Sequence, residues 1–157
     1  ELVDLFSGTK AQRRARIDDY VERLLDRISN DVLADDRRAA MIELQSVVAE
    51  SRSAQLAFGA MGFPVFMSVL KEERDDVEMV RGALETLVSA LTPIDYAREG
   101  PNNVVQPTLM NSDLLSREAE SISLLLSLLV SIFFVIVVTQ SASLKFNYKM
   151  CATHIRY

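Results

Sequence analysis

The chain has 157 residues, 22 acidic against 17 basic, one cysteine, one histidine and no tryptophan, for a formal net charge of −5. That balance argues against nucleic acid as the principal partner, since phosphate backbones are met by basic surfaces. The lone Cys151 excludes an intrachain disulfide and a cysteine-rich zinc site, and five Gly and four Pro in a chain that is 49% hydrophobic point to a single helical domain.

Residues 1 to 16 read as a flexible N-terminal arm: an apolar patch of Leu2, Val3, Leu5 and Phe6, then Ser7-Gly8-Thr9 and the basic Lys10, Arg13, Arg14 and Arg16. Glu1, Asp4 and so short an apolar run do not match a secretory leader. Val21, Leu24, Leu25 and Ile28 recur at helical spacing and predict a helix over 17–29 that ends near Asn30. A second helix is predicted over 35–50, with Ala40, Leu44, Val47 and Val48 on one face and Met41 widening it. Residues 53–60 read as a short linking helix. Gly62 is expected to stop it and Pro64 to open the next, which puts a sharp bend at Gly62-Phe63-Pro64.

Val65, Phe66, Val69 and Leu70 then form an apolar face, closed by six charged residues from Lys71 to Asp76 that predict a solvated corner. Asp75 or Asp76 is expected to cap the following helix, whose stripe reads Val80, Ala83, Leu84, Leu87, Val88, Leu91. Pro93, Gly100, Pro101 and Pro107 mark 93–107 as an exposed loop. Helix resumes over 108–115 and again from Ser116. From Ile122 to Val138 only Ser123, Ser127 and Ser131 interrupt an apolar run, and residues 130–157 read as a divergent tail, apolar and then basic with Lys145, Lys149 and Arg156.

Ala40 and Ala83 stand 43 positions apart, as do Leu44 and Leu87. That spacing lies within the roughly 40–47-residue period of armadillo and related repeats, and the central bend before an apolar helix pair resembles one such repeat. The blocks YVERLLDRISN, DDRRAAMIELQSVVAES, QLAFGAMGFPV, RDDVEMVRGALETLVSALTPID and LMNSDLLSREAESISLLLSLL resemble the start of the globular head of the general vesicular transport factor family, the tethering golgins, and its plant members above all. The resemblance covers Tyr20 to Leu129. It implies an all-α, armadillo-like right-handed α-solenoid of about two and a half repeats over 17–129. It further implies vesicle capture at the cytoplasmic face of Golgi membranes through Rab-class small GTPases, SNAREs and other golgins. Family members continue into more repeats and a dimerising coiled coil, of which this sequence carries no heptads, so a truncated head is expected.

Little chemistry competes with that reading. The acid pairs Asp18-Asp19, Asp35-Asp36 and Asp75-Asp76 are read as helix starts, and Cys151 with His154 lacks an orienting acid. No phosphate-cradling glycine loop occurs. Neither an enzyme, a cofactor, a metal nor a small-molecule substrate is expected. The candidate partner-binding positions are Arg38, Glu43, Arg81, Glu85 and Ser89, polar residues beside the apolar stripes. The alternative is a membrane-anchored helical protein with a spanning segment at 122–138.

Overall fold

The computed structural model describes residues 9–94 and 106–131, which are all-α, with no strand among them. The helices are α1 (Lys10–Asn30), α2 (Ala34–Glu50), α3 (Arg52–Glu72), α4 (Val77–Leu91), α5 (Pro107–Arg117) and α6 (Ser121–Ser131). Packing divides the chain into two units, Glu1–Ser121 and Ile122–Tyr157.

α1 begins earlier than apolar spacing predicts. Thr9 and Gln12 form a reciprocal capping box: the Thr9 hydroxyl accepts the Gln12 N–H at 3.3 Å, and the Gln12 side-chain oxygen accepts the Thr9 N–H at 3.0 Å. Arg13, Arg14 and Arg16 therefore belong to a helix and not to an arm, and Asp18-Asp19 lies inside the helix instead of capping it. Residues 1–8 lie outside the described residues. The predicted inward set of Val21, Leu24, Leu25 and Ile28 is buried, joined by Ile17 and Tyr20.

The helix break expected at Gly62-Phe63-Pro64 does not occur: α3 runs from Arg52 to Glu72 with Pro64 inside it. The predicted linking helix and the helix after it are thus one. Proline removes the N–H that the Ala60 carbonyl needs, yet Ala60 and Pro64 are both exposed, so the loss falls on the solvent side of the helix and not in the core. Gly62 has a packing role instead. A Cβ there would lie 2.5 Å from the Phe58 ring, which meets Phe63 and Phe66 edge-on at centroid distances of 5.4 and 4.8 Å.

α4 starts where the charged corner predicts. Asp76 accepts the N–H groups of Glu78 and Met79 at 3.2 and 3.1 Å. Its buried face is Met79, Ala83, Thr86, Leu87 and Ala90, rotated from the predicted stripe, so that Val88 is 64% exposed. The rotation follows from the neighbours. α2 runs along α4 in the most extensive pairing of the unit, with Met41 close over Gly82 and beneath the Thr86 hydroxyl.

α1 packs on α2 and α3, α3 on α4 and α5, and α4 on α5, so helices two apart in sequence touch as well as direct neighbours. Ala40, Ala83, Leu44 and Leu87 all lie in the resulting core. Pro107 is the first residue of α5 and not the end of a loop, and residues 95–105 of the predicted loop lie outside the described residues. The helix start expected at Ser116 is inside α5; the next helix begins at Ser121, after Glu120 takes a left-handed backbone with φ of 61°.

In the second unit the described residues are the body of α6. Ile122, Leu126, Leu129 and Val130 are 52 to 66% exposed, and the hydroxyls of Ser127 and Ser131 donate to the carbonyls of Leu124 and Ser127. The remaining tail, 132–157, lies outside the described residues.

Candidate protein-interaction surface

The five polar positions singled out from sequence separate into two groups. Arg38 is committed internally: its guanidinium donates to the Asp76 carboxylate at 3.1 and 2.8 Å and to Asp35 at 2.9 Å, with Glu78 at 3.6 Å. Glu43 accepts from the Tyr20 hydroxyl and faces Arg27 at 3.6 Å. Both tie helices together. The Asp76 carboxyl is held below the usual carboxylate range, chiefly by the Arg38 hydrogen bond and then by the Met79 N–H, while Asp76 in turn raises the Arg38 guanidinium. Ser89 is half-buried, and its carbonyl is taken by the Gln55 amide at 2.9 Å.

Arg81 and Glu85 remain, both exposed and without an ion-pair partner among the described residues. They sit at i and i+4 between Val77 and Val88, which are 73% and 64% exposed. The adjoining outer face of α2 carries Ala39, Ile42, Ser46 and Ala49, with Ile42 68% exposed. The pair α2–α4 therefore presents a strip of small and medium apolar side chains with one cation and one anion at its middle. Such a strip suits reversible contact between proteins, where apolar area supplies attraction and the charges set register.

Sequence reasoning missed the polar groups that hold this strip in place. Arg37 donates to the Ile28 carbonyl at 2.7 Å and pairs with Glu73, joining the ends of α1 and α3 to the start of α2. At the opposite helix ends, Gln55 donates to the carbonyls of Ser89 and Thr92, and Asn111 to those of Gln55 and Ala90. Both amides are 1% exposed. They supply donors to carbonyls at the end of α4, of which that of Ser89 also accepts the Thr92 N–H at 3.3 Å. The available signal was a polar residue in an inward register, with Asn111 falling between Thr108 and Leu115.

Among the described residues no group of three or more His, Cys, Asp or Glu side chains could hold a metal ion. A solvent-open groove between α1 and α3, floored by Leu25, Met61 and Val65 and rimmed by Arg23, Asp26 and Arg27, brings no set of reactive side chains together.

No family model matches the chain. No solved structure matches it either. Among curated proteins it is 71% identical over 112 residues to Golgin candidate 6 of Arabidopsis thaliana, an alignment covering 71% of this chain and 12% of that protein. It is 30% identical over 112 residues to General vesicular transport factor p115 of Rattus norvegicus and, equally, of Homo sapiens, covering 69% of this chain and 11% of each relative. The chain thus spans about an eighth of the length of the relatives it matches. Over that stretch it belongs to the family of golgins and general vesicular transport factors.

Proposed function

We propose that this chain is a non-catalytic protein-interaction module of the vesicle-tethering kind, an armadillo-like right-handed stack of about two and a half repeats. It acts in transport from the endoplasmic reticulum to the Golgi and within the Golgi. Its place is the cytoplasmic face of Golgi and vesicle membranes, where it makes peripheral contact, and its partners are a Rab-class GTPase, SNAREs or other golgins. The observation that carries the reading is the α2–α4 strip. Ile42, Val77, Arg81, Glu85 and Val88 stay exposed on a unit whose neighbouring charges Arg37, Arg38 and Glu43 are spent internally. The alternation of helix pairing supports the stack, and similarity to a golgin and a vesicular transport factor supports the setting.

The test is a pull-down from Golgi-enriched extract using the wild-type chain and the double variant Arg81→Glu/Glu85→Arg. The swap conserves net charge and the i, i+4 spacing, so thermal unfolding should not move. Capture of a Rab-class GTPase, SNARE or golgin should fall by about tenfold, the effect of roughly 1.4 kcal/mol. Equal capture by the charge swap and by Ile42→Asp/Val88→Asp would rule out the strip.

A further inference from the structure

We propose that Thr92 is a phosphorylation site for a proline-directed protein kinase, and that a phosphate on it unfastens the end of α4. This goes beyond the tethering reading and does not rest on it. Thr92-Pro93 is the only Ser/Thr-Pro pair in the chain, since the other prolines follow Phe63, Gly100 and Gln106. Kinases of this class take the acceptor hydroxyl on an extended backbone with proline behind it. Thr92 meets that requirement. It is exposed, as is Pro93, and its φ of −96° and ψ of 128° are the extended values that a following proline imposes.

The hydroxyl is within a kinase's reach because α4 has ended there. The Thr92 N–H meets the Ser89 carbonyl at 3.3 Å, and Pro93 has no N–H with which to continue the turn. The hydroxyl itself donates to the Val88 carbonyl at 2.7 Å. In the transfer, Oγ1 of Thr92 attacks the γ-phosphorus of ATP and gives its proton to the kinase's catalytic carboxylate. An Oγ1–P bond forms, the bond from that phosphorus to the β,γ-bridging oxygen breaks, and ADP leaves.

The site adjoins a latch, which gives the phosphate something to act on. The Gln55 amide places its two N–H groups on the carbonyls of Ser89 and Thr92, at 2.9 and 3.0 Å, and the Asn111 amide places its two on those of Gln55 and Ala90. No basic residue lies in the last turn of α4. A phosphate with a charge of about −1.5 to −2 at neutral pH therefore stands beside the carbonyl end of a helix, where the dipole repels it, and these amides have no donor left for it. The ester oxygen also carries no hydrogen for the Val88 carbonyl. α4 is loosened at this end, together with α5, which Asn111 fastens to it, while the contacts of Arg37 and Arg38 at the other end stand.

The experiment incubates the full chain with ATP and a cyclin-dependent kinase, reads the intact mass, and unfolds the chain in urea before and after labelling. Wild type and Thr92→Ser should each gain one phosphoryl group and Thr92→Val none. Pro93→Ala, which keeps the exposed hydroxyl, should be labelled about tenfold more slowly. The phosphorylated wild-type chain should have a lower urea midpoint, with its unfolding constant raised about fivefold at a fixed urea concentration, whereas kinase treatment should leave the midpoint of Thr92→Val where it was. A wild-type chain that gains no phosphoryl group overturns the proposal, as does equal labelling of Thr92→Val or of Pro93→Ala. A labelled chain with an unchanged midpoint overturns the unfastening of α4.

Discussion

Gly59 and Asn111 offer the most direct check on how the first unit is held. A methyl group on Gly59 would stand 1.8 Å from Oδ1 of Asn111 and 2.7 Å from its Cγ, so Gly59→Ala forces the amide out of its seat. The Asn111 NH2 group then leaves the carbonyls of Gln55 and Ala90, which it now meets at 2.9 and 3.0 Å. The Gln55 carbonyl keeps its partner within α3, but the stranded Ala90 carbonyl and the displaced NH2 group cost about 2–4 kcal/mol together. Alanine returns about 1 kcal/mol of helix propensity over glycine, for a net loss of about 1–3 kcal/mol. In an Asn111→Ala background the Ala90 carbonyl is already stranded and the obstructing oxygen is gone, so the same Gly59→Ala change should stabilise by about 0.5–1 kcal/mol. The sign of one substitution therefore reverses with the other, a coupling that urea unfolding of the four chains, followed by far-ultraviolet circular dichroism, reads directly. Equal destabilisation in both backgrounds would refute the account of the amide.

The unbroken course of α3 predicts that Pro64→Ala stabilises the chain by up to about 3 kcal/mol in the same unfolding assay, because a solvent-facing interior proline is replaced without loss of packing; destabilisation would mean that Pro64 shapes a bend after all. Asp76 has a folded value below its unfolded one, so its contribution is present in full above about pH 3.9 and is lost as pH falls through the folded value. Thermal melts across the acid range should show Asp76→Asn with a shallower loss of stability than wild type, and an unchanged acid limb would remove Asp76 from the clamp. Asp76→Ala additionally removes the helix cap and should cost about 1 kcal/mol at neutral pH, seen as a lower urea midpoint.

What the sequence made legible was the partner of each apolar stripe. Val21, Leu24, Leu25 and Ile28 lie in the core as their spacing requires, as do Ala40, Leu44, Ala83 and Leu87, because periodic apolarity reports burial with little interference. Punctuation was less legible. Gly62 and Pro64 carry the local signature of a bend, but the Phe58 ring lying over Gly62 and the exposure of Pro64 outweigh it, and neither can be read from neighbours in the chain. The candidate site suffered in the same way. Arg38 and Arg81 look alike as polar residues flanking a stripe; only folding brings Asp76, 38 positions away, against the first and leaves the second in solvent.

The polar contacts explain why the exposed strip on α2 and α4 plays no part in setting the helix register. Apolar stripes such as Ala40–Leu44–Val48 and Ala83–Leu87–Ala90 specify that two helices pack, yet stripes of small side chains tolerate sliding along the axis. Here the sliding is stopped at both ends. At one end Arg37 and Arg38 fasten the start of α2 to the ends of α1 and α3 and to the cap of α4. At the other, Gln55 and Asn111 fasten α3 and α5 to the last carbonyls of α4. Since these groups carry the register, Arg81 and Glu85 in the middle of the outer face carry none of it. Their reversal should therefore change what binds without changing what folds, whereas Arg38→Glu, one turn from the same face, should lower the unfolding midpoint whether or not a partner is present.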